Sequence, residues 1–151
     1  MLGSRRPEKK AEVLAEGEGP VMPLLGLAFW RMKRAFEREV GLSAATWFLL
    51  SMLIDDDGIS QGEVSDRFEV DPSRITRLAQ RLEKEGLLRR KRDPEDNRVV
   101  RLHVTEEGRR LISSRQERRE RFEERIRREF SQEELAEFRR VLGVVARLMK
   151  D

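Results

Sequence analysis

The stretch from Asp71 to Gly86, DPSRITRLAQRLEKEG, constrains the fold more than any other, because it specifies a helix with a fixed start, a fixed stop and two unlike faces. Asp71 stands where a side chain caps free amides, and Pro72 takes the first helical position, where its missing N–H costs least. Gly86 supplies the stop. On a helical wheel Ile75, Leu78, Ala79 and Leu82 fall on one side, with Ser73, Thr76, Arg77, Gln80 and Lys84 opposite and Arg74 and Arg81 at a boundary. The polar side carries arginines, which bridge a guanine edge with two hydrogen bonds, and hydroxyls and an amide that suit other base edges. Taken alone, such a face is more simply a solvated basic surface.

The order of the flanking segments changes that balance. Ser60-Gln61-Gly62-Glu63 has the spacing of a capping box and opens a short helix with Val64 and Phe68 turned inward. After Gly86, residues 87–92 and 98–104 read as two strands around the turn Asp93-Pro94-Glu95-Asp96, with Val100, Leu102 and Val104 on one face. A short capped helix, a tight turn, a basic amphipathic helix and a basic-tipped hairpin follow the order of a winged helix-turn-helix. In that motif the second helix reads the major groove of DNA and the hairpin reaches an adjacent groove or the backbone.

Charge follows the same division. Between Pro72 and His103 ten basic residues face five acidic ones, a net +5 in a chain whose total is +3, which leaves the remainder at −2. A positive field concentrated in one segment points to a polyanion partner. Arg89 to Arg92 and Arg98 are placed to meet phosphates or a narrow minor groove, and Asp96 is placed to orient Arg98 across the turn. The candidate DNA-binding set is therefore Ser73, Arg74, Thr76, Arg77, Gln80, Arg81, Arg90, Arg92, Asp96 and Arg98.

Elsewhere, Leu25, Phe29, Met32, Phe36 and Val40 recur at helical spacing up to Gly41, and Leu24, Leu27 and Arg31 widen that face, so this helix is expected to meet more than one neighbour. Ser43 caps AATWFLLSMLI, apolar almost all round and hence central, which ends at Asp55-Asp56-Asp57-Gly58. Thr105 caps a long helix with an acidic first turn and sparse apolar positions (Leu111, Ile112, Phe122, Ile126, Phe130), suited to spanning between lobes. A capping box at Ser131 to Glu134 opens a last helix with Leu135, Phe138, Leu142, Val145 and Met149 in register. Residues 1–19 are polar and glycine-bearing, and read as a flexible tail.

Several function classes are disfavoured. The absence of cysteine excludes disulfides, thiolate metal sites and thiol redox sensing. No apolar run approaches the roughly 18 residues of a membrane span, so the reading is cytoplasmic with no membrane partner. His103 is the single histidine and alternates to the outer strand face beside Arg101, where exposure or a phosphate is expected rather than catalysis. The Asp55-Asp56-Asp57 run lacks further carboxylates at calcium-loop spacing and reads as a solvated turn. No phosphate-cradling glycine loop is present, so no enzyme, cofactor or metal is expected. Trp30, Arg31 and Trp47 could line a pocket for an aromatic anion, although core or dimer contacts explain the tryptophans more simply.

The run from Ser60 to Gly108 also resembles the DNA-binding lobe of the multiple-antibiotic-resistance repressor (MarR) family. The family's Asp-x-Arg hairpin pattern is matched by Asp96-Asn97-Arg98, and its strand and Thr-x-x-Gly helix start by Leu102-His103-Val104-Thr105-Glu106-Glu107-Gly108. The resemblance extends more weakly over Pro20 to Asp151. It implies a mainly α protein with a small β-hairpin wing, 42–105 forming the winged helix-turn-helix lobe and 20–41 with 106–151 a helical dimerisation lobe. It further implies a homodimer with interlocking terminal helices on a pseudo-palindromic operator, Arg98 in the minor groove, and a small ligand between the lobes. Two departures stand out. Glu69 occupies a turn where the family often has glycine, at a strain of about 1 kcal/mol. The cysteine of the peroxide-sensing branch is missing. The expectation is a sequence-specific transcriptional regulator, with repression the default. The alternatives are a non-specific architectural DNA binder or a winged-helix protein interaction module.

Overall fold

In a computed structural model, residues 20–148 are described, and they form six helices and one two-stranded antiparallel sheet, a mainly α fold with a hairpin wing. The expected tail at 1–19 and the last apolar position, Met149, lie outside the described residues.

Five of the six described helices open on a side-chain cap, and the first opens without one after Pro20. Helix α1 (Val21–Val40) stops at Gly41, whose φ of 76° lets its amide turn back to the Glu37 carbonyl. Ser43 starts α2 (Ala44–Asp55), its hydroxyl oxygen accepting the Thr46 amide at 3.1 Å. The box that opens α3 (Gln61–Phe68) is complete: Ser60 accepts the Glu63 amide at 3.1 Å and Glu63 accepts the Ser60 amide at 2.9 Å. Asp71 accepts the Ser73 amide at 2.8 Å and opens α4 (Pro72–Lys84). Thr105 accepts the Gly108 amide at 3.1 Å and opens α5 (Glu106–Arg128). Ser131 and Glu134 exchange bonds of 3.2 and 2.8 Å ahead of α6 (Gln132–Leu148).

The apolar helix α2 lies at the centre. Leu49, Leu50 and Leu53 are fully buried, and Val40, Val64, Ala79, Leu82 and Leu102 close round them from α1, α3, α4 and the wing. Each buried leucine contributes about 1.5 to 3 kcal/mol relative to exposure, so the position of α4 is set mainly by this cluster. Strands β1 (Leu88–Arg92) and β2 (Val100–Val104) pair Leu88 with Val104, Arg90 with Leu102 and Arg92 with Val100. This register turns Leu88 and Leu102 into the core.

The α3–α4 turn passes through Glu69 at φ 49° and ψ 45°, the one non-glycine with positive φ among the described residues. Ser65 steadies the turn by donating from its hydroxyl to the Val70 carbonyl at 2.6 Å. Glu69→Gly removes the left-handed strain and is expected to stabilise the fold by about 0.5 to 1 kcal/mol, partly offset by the freer unfolded chain. Thermal unfolding of the two proteins side by side checks the sign, and a lower midpoint for the glycine variant contradicts it.

Helix α5 packs against both α1 and α2. Ile112, in its first half, joins the α2 cluster, and farther along Phe122 meets Phe36 of α1 edge-on with centroids 5.5 Å apart. Arg125 lies over the Phe122 ring and pairs with Glu39 at 2.9 Å. The broad apolar face of α1 finds fewer neighbours among the described residues than its pattern suggests. Phe29 and Met32 are half exposed and Trp30 more so, as are Phe130, Phe138 and Leu148 near and along α6.

Candidate nucleic-acid interface

Helix α4 presents its polar face outward as its periodicity requires. Ile75, Ala79 and Leu82 are buried, whereas Ser73, Arg74, Arg77 and Gln80 are exposed. The side chains of Arg74, Arg77 and Gln80 make no hydrogen bond to any described residue. The Ser73 hydroxyl and amide beside Asp71 hold that carboxyl below its ordinary range. Two members of the expected set on this helix are engaged inside the chain. Thr76 donates to the Pro72 carbonyl at 3.0 Å and accepts from Gln61 Nε2 at 3.3 Å. Arg81 donates to the Thr46 hydroxyl at 2.9 Å, binding α4 to the start of α2.

The wing tip is built round Asp93, which is 7% exposed. One of its carboxylate oxygens accepts the amides of Glu95 at 2.8 Å and Asp96 at 3.1 Å, and the other takes the Arg101 guanidinium. The Glu95 amide, then the Arg101 guanidinium and the Asp96 amide, hold the carboxyl below its usual range. The tip is consequently wider than the alternation suggests, and β2 begins at Val100 rather than Arg98. Asp96 performs the orienting task read from its spacing. Its Oδ1 accepts the amide and Nε of Arg98 at 3.0 and 3.1 Å, and its Oδ2 accepts Nη2 at 3.2 Å. This fork holds Arg98 in one direction while 91% of its side chain remains open to solvent. Arg92 donates to the Asn97 carbonyl at 2.9 Å, across the tip. Arg90 is placed differently, since its Nε donates to Gln61 Oε1 at 3.0 Å and its Nη1 lies 3.6 Å from Glu83.

The base of the wing rests on the aspartate turn after α2, which is more than a solvated linker. Asp57 Oδ1 accepts the Val104 amide at 2.9 Å, and Oδ2 lies 3.0 Å from His103 Nδ1. Burial pushes the Asp57 carboxyl up, but the His103 and Val104 hydrogen bonds outweigh it and leave the group lowered. His103 is thus turned to Asp57 and packs over Gly58 instead of standing free on the outer face. Gly58 N donates to the Leu102 carbonyl and Leu102 N to the Ile59 carbonyl, both at 2.9 Å. Arg101 adds a bond to the Gly58 carbonyl at 3.0 Å.

A cleft of about 270 Å³ separates the tip from the start of α3 and α4, lined by Ser60, Gln61, Gly62, Pro72, Thr76, Arg98, Val99 and Val100. A second, larger groove follows α5 between Glu117 and Glu129. Trp30, Arg31 and Trp47 line neither. Trp47 is buried edge-on to Phe36 at 6.1 Å, and Trp30 is exposed and edge-on to Phe29 at 5.3 Å. Among the described residues no helix is long and apolar enough to cross a membrane, and no group of three or more histidine, aspartate or glutamate side chains is arranged to hold a metal.

Known proteins share this arrangement. Residues 42–100 match the model of the MarR family. The chain is 32% identical over 140 residues to YdgJ of Bacillus subtilis (strain 168), an uncharacterized HTH-type transcriptional regulator, covering 93% of this chain and 79% of YdgJ. The crystal structure of MarR is similar at 30% identity with a TM-score of 0.72, over 87% of this chain and 92% of MarR. The PcaV transcriptional regulator from Streptomyces coelicolor, solved in complex with its natural ligand, is similar at 27% identity with a TM-score of 0.76, over 91% of this chain and 96% of PcaV. These relatives are transcriptional regulators rather than enzymes. With its capped helix pair, its exposed basic α4 and its Asp-braced arginine at the wing tip, the chain belongs to the MarR family of helix-turn-helix transcriptional regulators.

Proposed function

We propose that the protein is a homodimeric, sequence-specific DNA-binding repressor that recognises a pseudo-palindromic operator. The observation that carries this reading is the pairing of two surfaces on one shared core. One is the exposed row Ser73, Arg74, Arg77 and Gln80 on α4, and the other is Arg98, held outward by Asp96 at the wing tip. Helix α4 enters the major groove and reads base edges from its exposed row, with Arg77 bridging a guanine and Gln80, farther along the helix, an adenine. The wing follows the backbone into the adjacent minor groove with Arg98, supported by Arg92.

The half-exposed apolar row of Phe29, Trp30 and Met32 on α1, with Phe138 and Leu142 on α6, supports a dimer in which residues 20–41 and 106–151 cover one another's apolar faces. Such a dimer sets two α4 helices about 34 Å apart, one turn of DNA. Sedimentation at micromolar concentration tests this, and a monomer would overturn it.

The two arginines have separable roles. Arg77→Ala is expected to relax base preference at one operator position and to cost about 1 to 3 kcal/mol on the preferred site. Arg98→Ala is expected to weaken binding across sequences and to reduce the salt slope by about one where it meets phosphate. Titrations of both variants against preferred and scrambled duplexes at several salt concentrations decide the matter, and equal losses with unchanged selectivity contradict this division.

An effector reading is supported by PcaV, a similar regulator solved with its natural ligand. In this chain the ligand would be a small aromatic acid bound by Trp30, Arg31 and Trp47. It would release DNA by preferring a spacing of the two lobes that does not fit the operator. An aromatic acid such as salicylate that changes neither tryptophan fluorescence nor DNA affinity would remove that part of the reading.

A further inference from the structure

We propose that Arg90 is a positioning residue of the wing, and that with Gln61 and Glu83 it forms a clamp that fixes the angle between α4 and the wing tip. The inference rests on the DNA-binding reading for its consequence, though not for its geometry.

A basic residue on a hairpin strand ordinarily serves as one more phosphate contact, and nothing in its local sequence distinguishes Arg90 from Arg89 or Arg92. Its surroundings do. Only 23% of the Arg90 side chain is exposed. Its Nε is bound to Gln61 Oε1 at 3.0 Å and its Nη1 faces Glu83 Oε2 at 3.6 Å, while its own amide donates to Glu83 Oε1 at 2.9 Å. Glu83 lies in the last turns of α4. Gln61 continues the connection from its other end: its Nε2 donates to the Thr76 hydroxyl, which donates in turn to the Pro72 carbonyl in the first turn of α4. Strand β1 is therefore linked to the last turns of the recognition helix through the Arg90 amide and guanidinium, and to its second turn through Gln61. Leu88 and Leu102 seat the wing in the core, and the backbone bonds of Leu102 to Gly58 and Ile59 fix β2 to the turn after α2, whereas the Arg90 bonds are what join β1 to Glu83 of α4 and Gln61 of α3. These ties set the wing against the recognition helix, which matters because Arg98 has to meet a second groove while α4 occupies the first.

The clamp and a phosphate contact predict opposite signs for one substitution. Glu83→Ala removes a negative charge beside the interface and releases Arg90. If Arg90 serves as a phosphate contact, binding tightens and its salt dependence steepens. If Arg90 is a clamp, binding to a duplex selected from a random pool by the unaltered protein weakens about fivefold or more with the salt slope unchanged. Arg90→Met then gives a similar loss, and in the double variant the two losses are less than additive because both changes act on one unit. A second arm needs no DNA: amide exchange in β1 and β2 is expected to quicken about tenfold in Glu83→Ala, with α1, α2 and α5 unchanged, which also shows that the variant is folded. Tighter DNA binding by Glu83→Ala, additive losses in the double variant, or unchanged wing exchange overturns the clamp. If the unaltered protein selects no duplex, the functional reading fails while the exchange arm still decides whether the clamp exists.

Discussion

Replacing Gly108 with alanine is expected to destabilise the protein by about 2 to 3 kcal/mol and to lower its unfolding midpoint by about 5 to 10 °C. A Cβ at this position would stand 2.2 Å from the Leu87 carbonyl oxygen and 2.9 Å from a methyl of Val104. Neither neighbour can withdraw cheaply. The Leu87 carbonyl accepts the Thr105 amide at 3.1 Å, and Thr105 is itself the cap of α5, bound to Gly108. Relief would thus require moving the first turn of α5 away from the wing and opening the junction through which Ile112 reaches the core. Gly62→Ala serves as the control: its nearest contact would be the Ser60 hydroxyl at 3.8 Å, so it is expected to be neutral or slightly stabilising in a helix. Thermal and urea unfolding of both variants checks the contrast, and a Gly108→Ala midpoint at or above that of the parent chain contradicts the close approach.

Leu102→Ala is expected to cost about 3 kcal/mol, within the range for truncating a fully buried leucine. Leu102 is the wing's central anchor, with no exposed surface, and its amide and carbonyl are bound to the Ile59 carbonyl and the Gly58 amide at 2.9 Å each. Those backbone bonds keep the strand in place, so the cavity cannot collapse readily and the loss includes the unfilled volume as well as the transfer of the side chain. The substitution is also expected to weaken DNA binding beyond its effect on the folded fraction, because the hairpin that carries Arg98 loses its main apolar attachment. Urea unfolding gives the first effect and titration of the folded variant the second. A loss below about 1 kcal/mol would show that the wing is not seated on this residue.

How much of this was legible in the sequence depends on the range of each interaction. The caps at Ser43, Ser60, Asp71, Thr105 and Ser131 act within three residues, and each was readable from spacing alone. The buried side of α4 and the fork from Asp96 to Arg98 are equally local. Asp93 was readable in principle: a carboxylate two and three residues before free amides is the pattern of a side-chain-closed turn, although its burial was not. The ties from Asp57 to Val104, Arg81 to Thr46 and Arg90 to Gln61 span 47, 35 and 29 residues, and no periodicity encodes them. For that reason the strand alternation places His103 on open surface and leaves Arg81 and Arg90 indistinguishable from the charges around them. The apolar rows of α1 and α6 present the opposite case. Their pattern requires burial, and the described residues of one chain leave much of that surface uncovered.

The central claim is that the exposed face of α4 and the wing read a particular DNA sequence together. The direct measurement is binding of the purified protein to the intergenic DNA upstream of its own gene, with a scrambled duplex as competitor and the salt concentration varied. Retention of the upstream duplex against competitor, at one dimer per site, is the predicted result. Equal loss to both duplexes, or no binding at low salt, would contradict it.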